Sequence, residues 1–209
     1  MDFSTDCRAC PRLATFLEAG RMKHPAYYCK PVPAFGDDQP ALLIVGLAPG
    51  FHGANQTGRP FTGDHAGILL YETLHAFGFA SRPVSVAVDD GLQLIGCRIT
   101  NAVKCVPPEN KPETGEIKRC NEYLQQELAA LPAGTAILAL GLIAHKAVLM
   151  ARGLKASGHV FAHAASHALP GGLRLYDSYH CSRYNTQTRR LTPEMFRAVF
   201  AQIASDPRS

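Results

Sequence analysis

The sequence predicts an α/β fold of three layers, in which helices cover both faces of a central, mostly parallel sheet of four strands. Short apolar runs rich in strand formers alternate along the chain with stretches of helical apolar spacing. The 209 residues are 46% hydrophobic and 18% charged, a composition that suits one well-filled core. We therefore expect a single domain over residues 1–209.

The first predicted unit is a strand, a loop and a helix. Residues 41–47 form an apolar run that ends before Pro49, as expected for a buried parallel strand. Residues 46–67 carry glycine too often for regular structure and predict a long loop, which in a compact domain is usually functional. From His65 the apolar spacing predicts a helix that ends at Gly78.

The same alternation continues to the end of the chain. It predicts strands at 98–103, 135–140 and 173–178, and helices at 116–131, 144–151 and 192–204. Thr192 suits the N-cap of the last helix, and Pro193 its first position. Ligands bind at the carboxyl ends of parallel strands, so the loops after residues 47 and 178 and the segment 101–105 are the expected site.

Charge and hydropathy limit the classes of protein. The longest apolar stretches fall well short of the roughly 18 residues that a membrane span needs, so we expect no membrane association. The acidic first residues do not resemble a signal peptide, and we expect a cytoplasmic monomer. A net charge of +4 and a pI near 8.7 permit a polyanionic partner without requiring one.

Seven cysteines in a chain without a secretory signal indicate thiols or metal ligands rather than disulfides. Cys7 and Cys10 form a CxxC pair, and Cys105 and Cys120, just past a strand and in the following helix, can converge as a second pair. Four thiolates can complete one site, and the residue types leave zinc and an iron–sulfur cluster both open. We interpret the other cysteines as ordinary buried thiols: Cys29, Cys97 and Cys181.

Three motifs follow the predicted strands. The first loop contains GLAPG (46–50) and GRPFTGD (58–64), the next strand ends in TNAVKC (100–105), and the last is followed by HCSRYNT (180–186). Together they supply an aromatic ring, a carboxylate, an amide, an imidazole and many backbone N–H groups. Such groups can stack a planar ring, orient a water molecule and hold an anion.

In this order and combination the motifs resemble the uracil-DNA glycosylase superfamily, specifically its family-5 branch, whose members carry an iron–sulfur cluster. The resemblance covers nearly the whole chain. It implies a 4Fe-4S cluster on Cys7, Cys10, Cys105 and Cys120. It also implies a function: flipping uracil, and other deaminated bases such as hypoxanthine or xanthine, out of double-stranded DNA and hydrolysing the N-glycosidic bond to start base excision repair.

The resemblance assigns a role to each motif. Phe61 would stack on the flipped base, Asn101 would hydrogen-bond its polar edge, His180 would donate toward O2 as the bond breaks, and Asp64 would position the attacking water. Asp64 also suits the N-cap of the helix from His65, whose N-terminus would keep the carboxylate ionised. The remaining substrate-binding residues implied are Gly46, Leu47, Ala48, Ser182 and Asn185.

The sequence also departs from related branches. Leu47 and Ala48 stand where other branches carry a polar residue that activates water, so catalysis would depend more on Asp64 and His180. Cys181 stands where relatives often have Pro or Val, and Arg189 stands where glycine is expected.

The loop after His180 is basic and aromatic, with Arg183, Tyr184, Arg189 and Arg190, which suits phosphate contacts. The only lysine in the motifs, Lys104, has no catalytic role in the family, so water is the expected nucleophile. A noncatalytic, metal-stapled nucleic-acid-binding module is the alternative.

Overall fold

A computed structural model describes residues 3–206, and its centre is a six-stranded sheet. The strands are β1 (Phe35–Gly36), β2 (Leu42–Gly46), β3 (Cys97–Asn101), β4 (Ala136–Leu140), β5 (Ser166–Ala168) and β6 (Arg174–Ser178). Their order across the sheet is β1-β3-β2-β4-β6-β5. The inner strands β3, β2, β4 and β6 pair in parallel, as the sequence predicts.

The expected count of four strands is corrected to six. Two edge strands extend the parallel core: β1 pairs with β3 and β5 pairs with β6, both antiparallel. They have two and three residues, too few to show an apolar alternation in the sequence.

Four of the helices match the sequence prediction and three do not. The structure has α1 (Pro11–Lys23), α2 (Ala54–Thr57), α3 (His65–Ala76), α4 (Thr114–Ala129), α5 (Leu142–Ala151), α6 (Arg183–Gln187) and α7 (Pro193–Ser205). The predictions for α3, α4, α5 and α7 are confirmed, and Thr192 caps α7 through the backbone N–H of Met195. The helices α1, α2 and α6 were not predicted, because α2 and α6 are very short and α1 has a narrow buried face.

The helices cover both faces of the sheet, so the three-layer prediction is confirmed. Leu42 and Ile44 of β2 face the cluster formed with α3 and α7, whereas Leu43 and Val45 face α4 and α5. Every residue of β2 is buried, as expected for a parallel strand covered on both sides. Within residues 3–206, none of the helices combines the length and the apolar character that crossing a bilayer requires.

The strand register positions the three motifs at one edge of the sheet. Gly46, the last residue of β2, pairs with Asn101, the last residue of β3. Leu140 of β4 pairs with Ser178 of β6, and His180 follows two residues beyond that strand. The carboxyl ends of the parallel strands therefore bring the first, second and third motifs together, as expected.

Candidate active site and metal centre

A cavity of about 410 Å³ opens at the carboxyl edge of the parallel strands. Most of the predicted site residues line it: Leu47, Ala48, Phe61, Asp64, Asn101, His180 and Ser182. Gly46 lies directly behind Phe61 and Asn101. The sequence therefore identified the principal walls of the cavity.

Phe61 forms a flat apolar platform in the cavity. Its backbone is in the left-handed region (φ 54°), which is rare for a bulky residue and is held here by the surrounding loop. The residue is 6% exposed, and its ring stacks against the His180 imidazole, with ring centroids 5.9 Å apart and an interplanar angle of 28°. A planar ligand could extend this stack.

Asn101 presents an unsatisfied acceptor beside that platform. The residue is 3% exposed, and its Oδ1 atom is buried with no hydrogen-bond partner among the described residues. A buried polar atom without a partner costs about 1–3 kcal/mol, so such atoms are uncommon unless a ligand satisfies them. The Asn101 amide is therefore suited to recognise a ligand that donates a hydrogen bond.

Asp64 serves as the N-cap of α3 while facing the cavity. Its Oδ1 accepts a hydrogen bond from the backbone N–H of Gly67 at 3.0 Å, so the N-cap prediction is confirmed. Burial raises the pKa of the Asp64 carboxyl, and hydrogen bonds from Gly67 and Ala66 only limit that rise. The helix N-terminus was expected to keep the carboxylate ionised, but desolvation outweighs that effect. The raised pKa makes the carboxylate a better proton acceptor.

His180 faces the cavity as a neutral imidazole. Burial lowers the pKa of His180 to about 4. Its backbone is held by Asn185, whose Nδ2 donates to the His180 carbonyl at 2.8 Å. Ser182 caps α6 by accepting a hydrogen bond from the backbone N–H of Asn185. Asn185, implied as a substrate-binding residue, thus contacts the backbone that carries His180, whereas Ser182 both caps α6 and lines the cavity.

One residue in the loop after His180 has a backbone conformation that is rare for residues other than glycine. Arg189, which stands where glycine is expected, has φ 57°, in the left-handed region that favours glycine.

Three further residues line the cavity: His65, Asn110 and Arg183. Arg183 was expected near the site for phosphate contacts, whereas His65 and Asn110 were not expected there. Asn110 and its neighbour Glu109 have φ values of 56° and 54° in the turn that follows Cys105. A Pro-Pro-Glu-Asn turn is visible in the sequence, and asparagine tolerates this conformation, but nothing in the sequence shows which way the turn faces.

The four predicted ligand cysteines line a second cavity, of about 230 Å³. Cys105 and Cys120 are buried, and Cys7 and Cys10 are half-buried. The backbone N–H of Lys104 donates to Cys120 Sγ at 3.3 Å. None of the other described cysteines lines this cavity, and all three are fully buried, as predicted: Cys29, Cys97 and Cys181.

The cysteine thiols of this cavity are partly shielded from water. Burial raises the pKa of Cys120 to about 11 and also raises the pKa of Cys10 and of Cys105, and neighbouring thiols add to each rise. A metal that binds these sulfur atoms would have to displace their protons. An all-sulfur donor set fits either an iron–sulfur cluster or a thiolate-bound zinc ion.

The fold and the first cavity define an α/β enzyme whose candidate active site lies at the carboxyl edge of its parallel strands. The chain belongs to the uracil DNA glycosylase superfamily, whose family model matches residues 33–204. It is 48% identical over 203 residues to a type-5 uracil-DNA glycosylase of Thermus thermophilus, covering 95% of this chain and 92% of the relative.

Two further relatives carry the same description. A type-5 uracil-DNA glycosylase of Mycobacterium leprae is 44% identical, over 93% of this chain and 88% of the relative. A type-5 uracil-DNA glycosylase of Pyrobaculum aerophilum is 38% identical, over 96% of this chain and 89% of the relative. The resemblance inferred from the motifs is confirmed.

Proposed function

We propose that this protein is a monofunctional glycosylase that hydrolyses the N-glycosidic bond of uracil in double-stranded DNA. The observation that carries the proposal is the unsatisfied Oδ1 of Asn101 beside the Phe61 platform. Relatives named type-5 uracil-DNA glycosylase, matched over most of their length, support the same substrate.

The platform and the amide match the two recognition features of a flipped uracil. The planar ring would stack on Phe61, next to His180. The N3–H of uracil would donate to Asn101 Oδ1, and its O4 would accept from Asn101 Nδ2. This pairing satisfies the orphaned acceptor only when the base is bound, which favours a base outside the duplex.

Bond cleavage would use His180 and Asp64 on opposite sides of the reacting bond. As the C1′–N1 bond breaks, its electron pair moves into the base, and negative charge grows on O2. The neutral His180 would donate a hydrogen bond to that oxygen. A water molecule would then add to the cationic C1′ and lose its proton to the Asp64 carboxylate, whose raised pKa assists this transfer.

The apolar wall of the cavity supports a range of bases wider than uracil. Leu47 and Ala48 line the cavity, and neither has a polar side chain that could hydrogen-bond the exocyclic groups of the base. Hypoxanthine presents N1–H and O6 in the arrangement of uracil N3–H and O4. We therefore propose that the enzyme also excises hypoxanthine, and xanthine by the same logic.

The surface around the cavity mouth suits a duplex. Arg183 lines the mouth, Tyr184 is 69% exposed on the same short helix α6, and the Arg190 guanidinium lies 4.7 Å from the Tyr179 ring centroid. The arginines can contact phosphates, and an exposed aromatic ring can fill the space that a flipped base leaves.

We also propose that Cys7, Cys10, Cys105 and Cys120 hold a 4Fe-4S cluster. Their shared cavity, their burial and their all-sulfur donor set support this choice. When bound, the cluster would supply a covalent cross-link between the N-terminal segment, the Cys105 loop and α4. That loop leads to Asn110 at the mouth of the substrate cavity, so the cross-link would fix one wall of the site.

The test uses labelled duplexes that contain one uracil opposite guanine, one uracil opposite adenine, or one hypoxanthine. We expect strand breaks with each duplex only after alkaline treatment, because a monofunctional enzyme leaves an intact abasic site. Breaks before alkali would indicate a lyase step and contradict water as the nucleophile. Binding without breaks in any duplex would support the noncatalytic module instead.

A further inference from the structure

We propose a second metal site, for a divalent d-block cation such as Zn²⁺, formed by His145, His167 and Asp177. His145 lies on α5, His167 on β5 and Asp177 on β6. None of the three lines the substrate cavity or the cysteine cavity. The sequence gives no reason to group them, because His167 lies near the other two residues only through the antiparallel pairing of β5 with β6.

The ligand atoms already lie close to the separation that zinc requires. His145 Nδ1 is 2.8 Å from Asp177 Oδ1, and His167 Nε2 is 3.3 Å from Asp177 Oδ2. One donor atom from each residue lies within 4.8 Å of the others. Bonds of about 2.0–2.2 Å in a tetrahedron place donor atoms roughly 3.3–3.6 Å apart, so small side-chain rotations complete the site.

The hydrogen bonds of His145 require a positive charge at this place. Its Nε2 lies 2.9 Å from the carbonyl oxygen of His159, which can only accept, so Nε2 carries a proton. In a neutral imidazole, Nδ1 then presents a lone pair to the Asp177 carboxylate, and two acceptors face each other. Either a second proton or a metal ion between Nδ1 and the carboxylate removes this conflict.

The surroundings favour the metal ion. A histidine that ligates metal usually donates its other N–H to a backbone carbonyl, as His145 does to His159. The side chains of His145 and Asp177 are 1% and 0% exposed, whereas that of His167 is 15% exposed, which gives an ion and a water ligand access from solvent. The His159 ring, 5.6 Å from the His167 ring, is a further candidate for the fourth position.

A cation bound here would stabilise the β5 edge of the sheet. It would join the short strand β5 and the segment that precedes it to α5 and β6. A three-residue strand gains little from its own hydrogen bonds, so the site would contribute a large share of the local stability. Its role is structural and is independent of base excision.

The test measures zinc binding by the full-length protein purified with iron bound at its cysteine site. Zn²⁺ is titrated against a chromophoric chelator, and X-ray absorption at the zinc edge identifies the ligands. We expect one zinc per chain with only nitrogen and oxygen ligands, and about 100-fold weaker binding in His167→Ala. His163→Ala is the matched control, because its ring lies in the same segment but faces the Tyr179 backbone N–H.

Each other outcome overturns the proposal. Sulfur ligands would show that zinc enters the cysteine site. Absence of bound zinc, or equal affinity in wild type and His167→Ala, would show that a proton supplies the charge on His145. Should His167→Ala fail to fold, the ligand set of the wild-type protein decides alone.

Discussion

Gly46 and Asn101 pair across the last residues of β2 and β3, and the Asn101 side chain lies directly over the Gly46 Cα. A Cβ at Gly46 would overlap Asn101 Oδ1 and would lie 2.7 Å from Cζ of Phe61. A side chain at position 46 is therefore incompatible with the platform and the amide in their present positions.

We predict that Gly46→Ala greatly reduces uracil excision, because the new methyl group displaces Asn101 and Phe61. The expected loss is at least about 100-fold in kcat/KM, comparable to losing a positioned hydrogen bond and its alignment. Gly115→Ala, in α4 with nothing within 4 Å of the new Cβ, is the control and should keep full activity. Equal activity in both variants would contradict the assigned base position.

Asp64 has two roles that substitution can separate. Asparagine also caps helices, so Asp64→Asn should keep the cap and relieve the burial of a charge, leaving the melting temperature unchanged or higher. Asp64→Ala should lose about 1 kcal/mol of stability with the cap. Excision should fall at least about 100-fold in both variants. Retained activity in Asp64→Asn, measured under single turnover, would show that Asp64 only caps the helix.

The buried neutral imidazole of His180 makes stability depend on pH. Its pKa is about 4 in the folded protein and near 6.5 when unfolded, so the unfolded chain binds more protons between these values. Stability is therefore complete above pH 6.5 and decreases as the pH falls toward 4. His180→Gln should flatten this decrease in urea unfolding, and His52→Gln, at an exposed position, should not. Parallel curves for all three proteins would rule out burial of a neutral His180.

An ion pair joins the GRPFTGD motif, which forms part of the cavity wall, to the segment that follows α3. Arg59 is 2% exposed and its Nη2 lies 2.6 Å from Asp90 Oδ2. Burial alone would raise the pKa of Asp90, but hydrogen bonds from Arg59 and from backbone N–H groups outweigh it and hold the pKa well below its usual range. We predict that Arg59→Met costs about 3–5 kcal/mol in urea unfolding, because a largely buried carboxylate loses its partner.

The control for this pair is Asp38→Asn. Asp38 also pairs with an arginine, Arg98, but its side chain is 93% exposed. An exposed pair contributes little, so the expected change is within about 0.5 kcal/mol. Similar losses in the two variants would show that burial does not determine the strength of the Arg59 pair.

Removal of a cysteine ligand tests the proposed cluster. Cys105→Ser should lower the iron and sulfide content of the purified protein, remove its broad visible absorption and lower its melting temperature. Cys97→Ala replaces a buried cysteine outside the cavity and should keep all three properties except for a modest loss of stability. A colourless wild-type protein with stoichiometric zinc would refute the iron–sulfur assignment.

Periodic segments were the part of the fold that the sequence could predict. The strands β2 and β4 and the helices α3 and α7 have enough buried positions to show their period. The edge strands β1 and β5 do not, and their existence depends on pairing with β3 and β6. The assignment of residues 1–209 to a single domain stays a prediction.

The candidate site was predictable where its residues follow strands directly. Asn101 and His180 lie at or just beyond strand ends, and Phe61 and Asp64 lie in the long loop that follows β2, so the parallel sheet places all four at one edge. Asn110 reaches the cavity through two successive left-handed residues, which local sequence does not direct toward any particular surface. The raised pKa of Asp64 could not be predicted from the sequence either, because it depends on how deeply the folded loop buries the carboxyl.

The most direct test of the account is the single-turnover rate of uracil release from a duplex with uracil opposite guanine, for wild type and Asp64→Asn. We predict alkali-dependent strand breaks with wild type, a rate at least about 100-fold lower in the variant, and equal DNA affinity in both. Absence of breaks with the iron-replete wild-type protein, or equal rates in the two proteins, would contradict the proposed catalytic site.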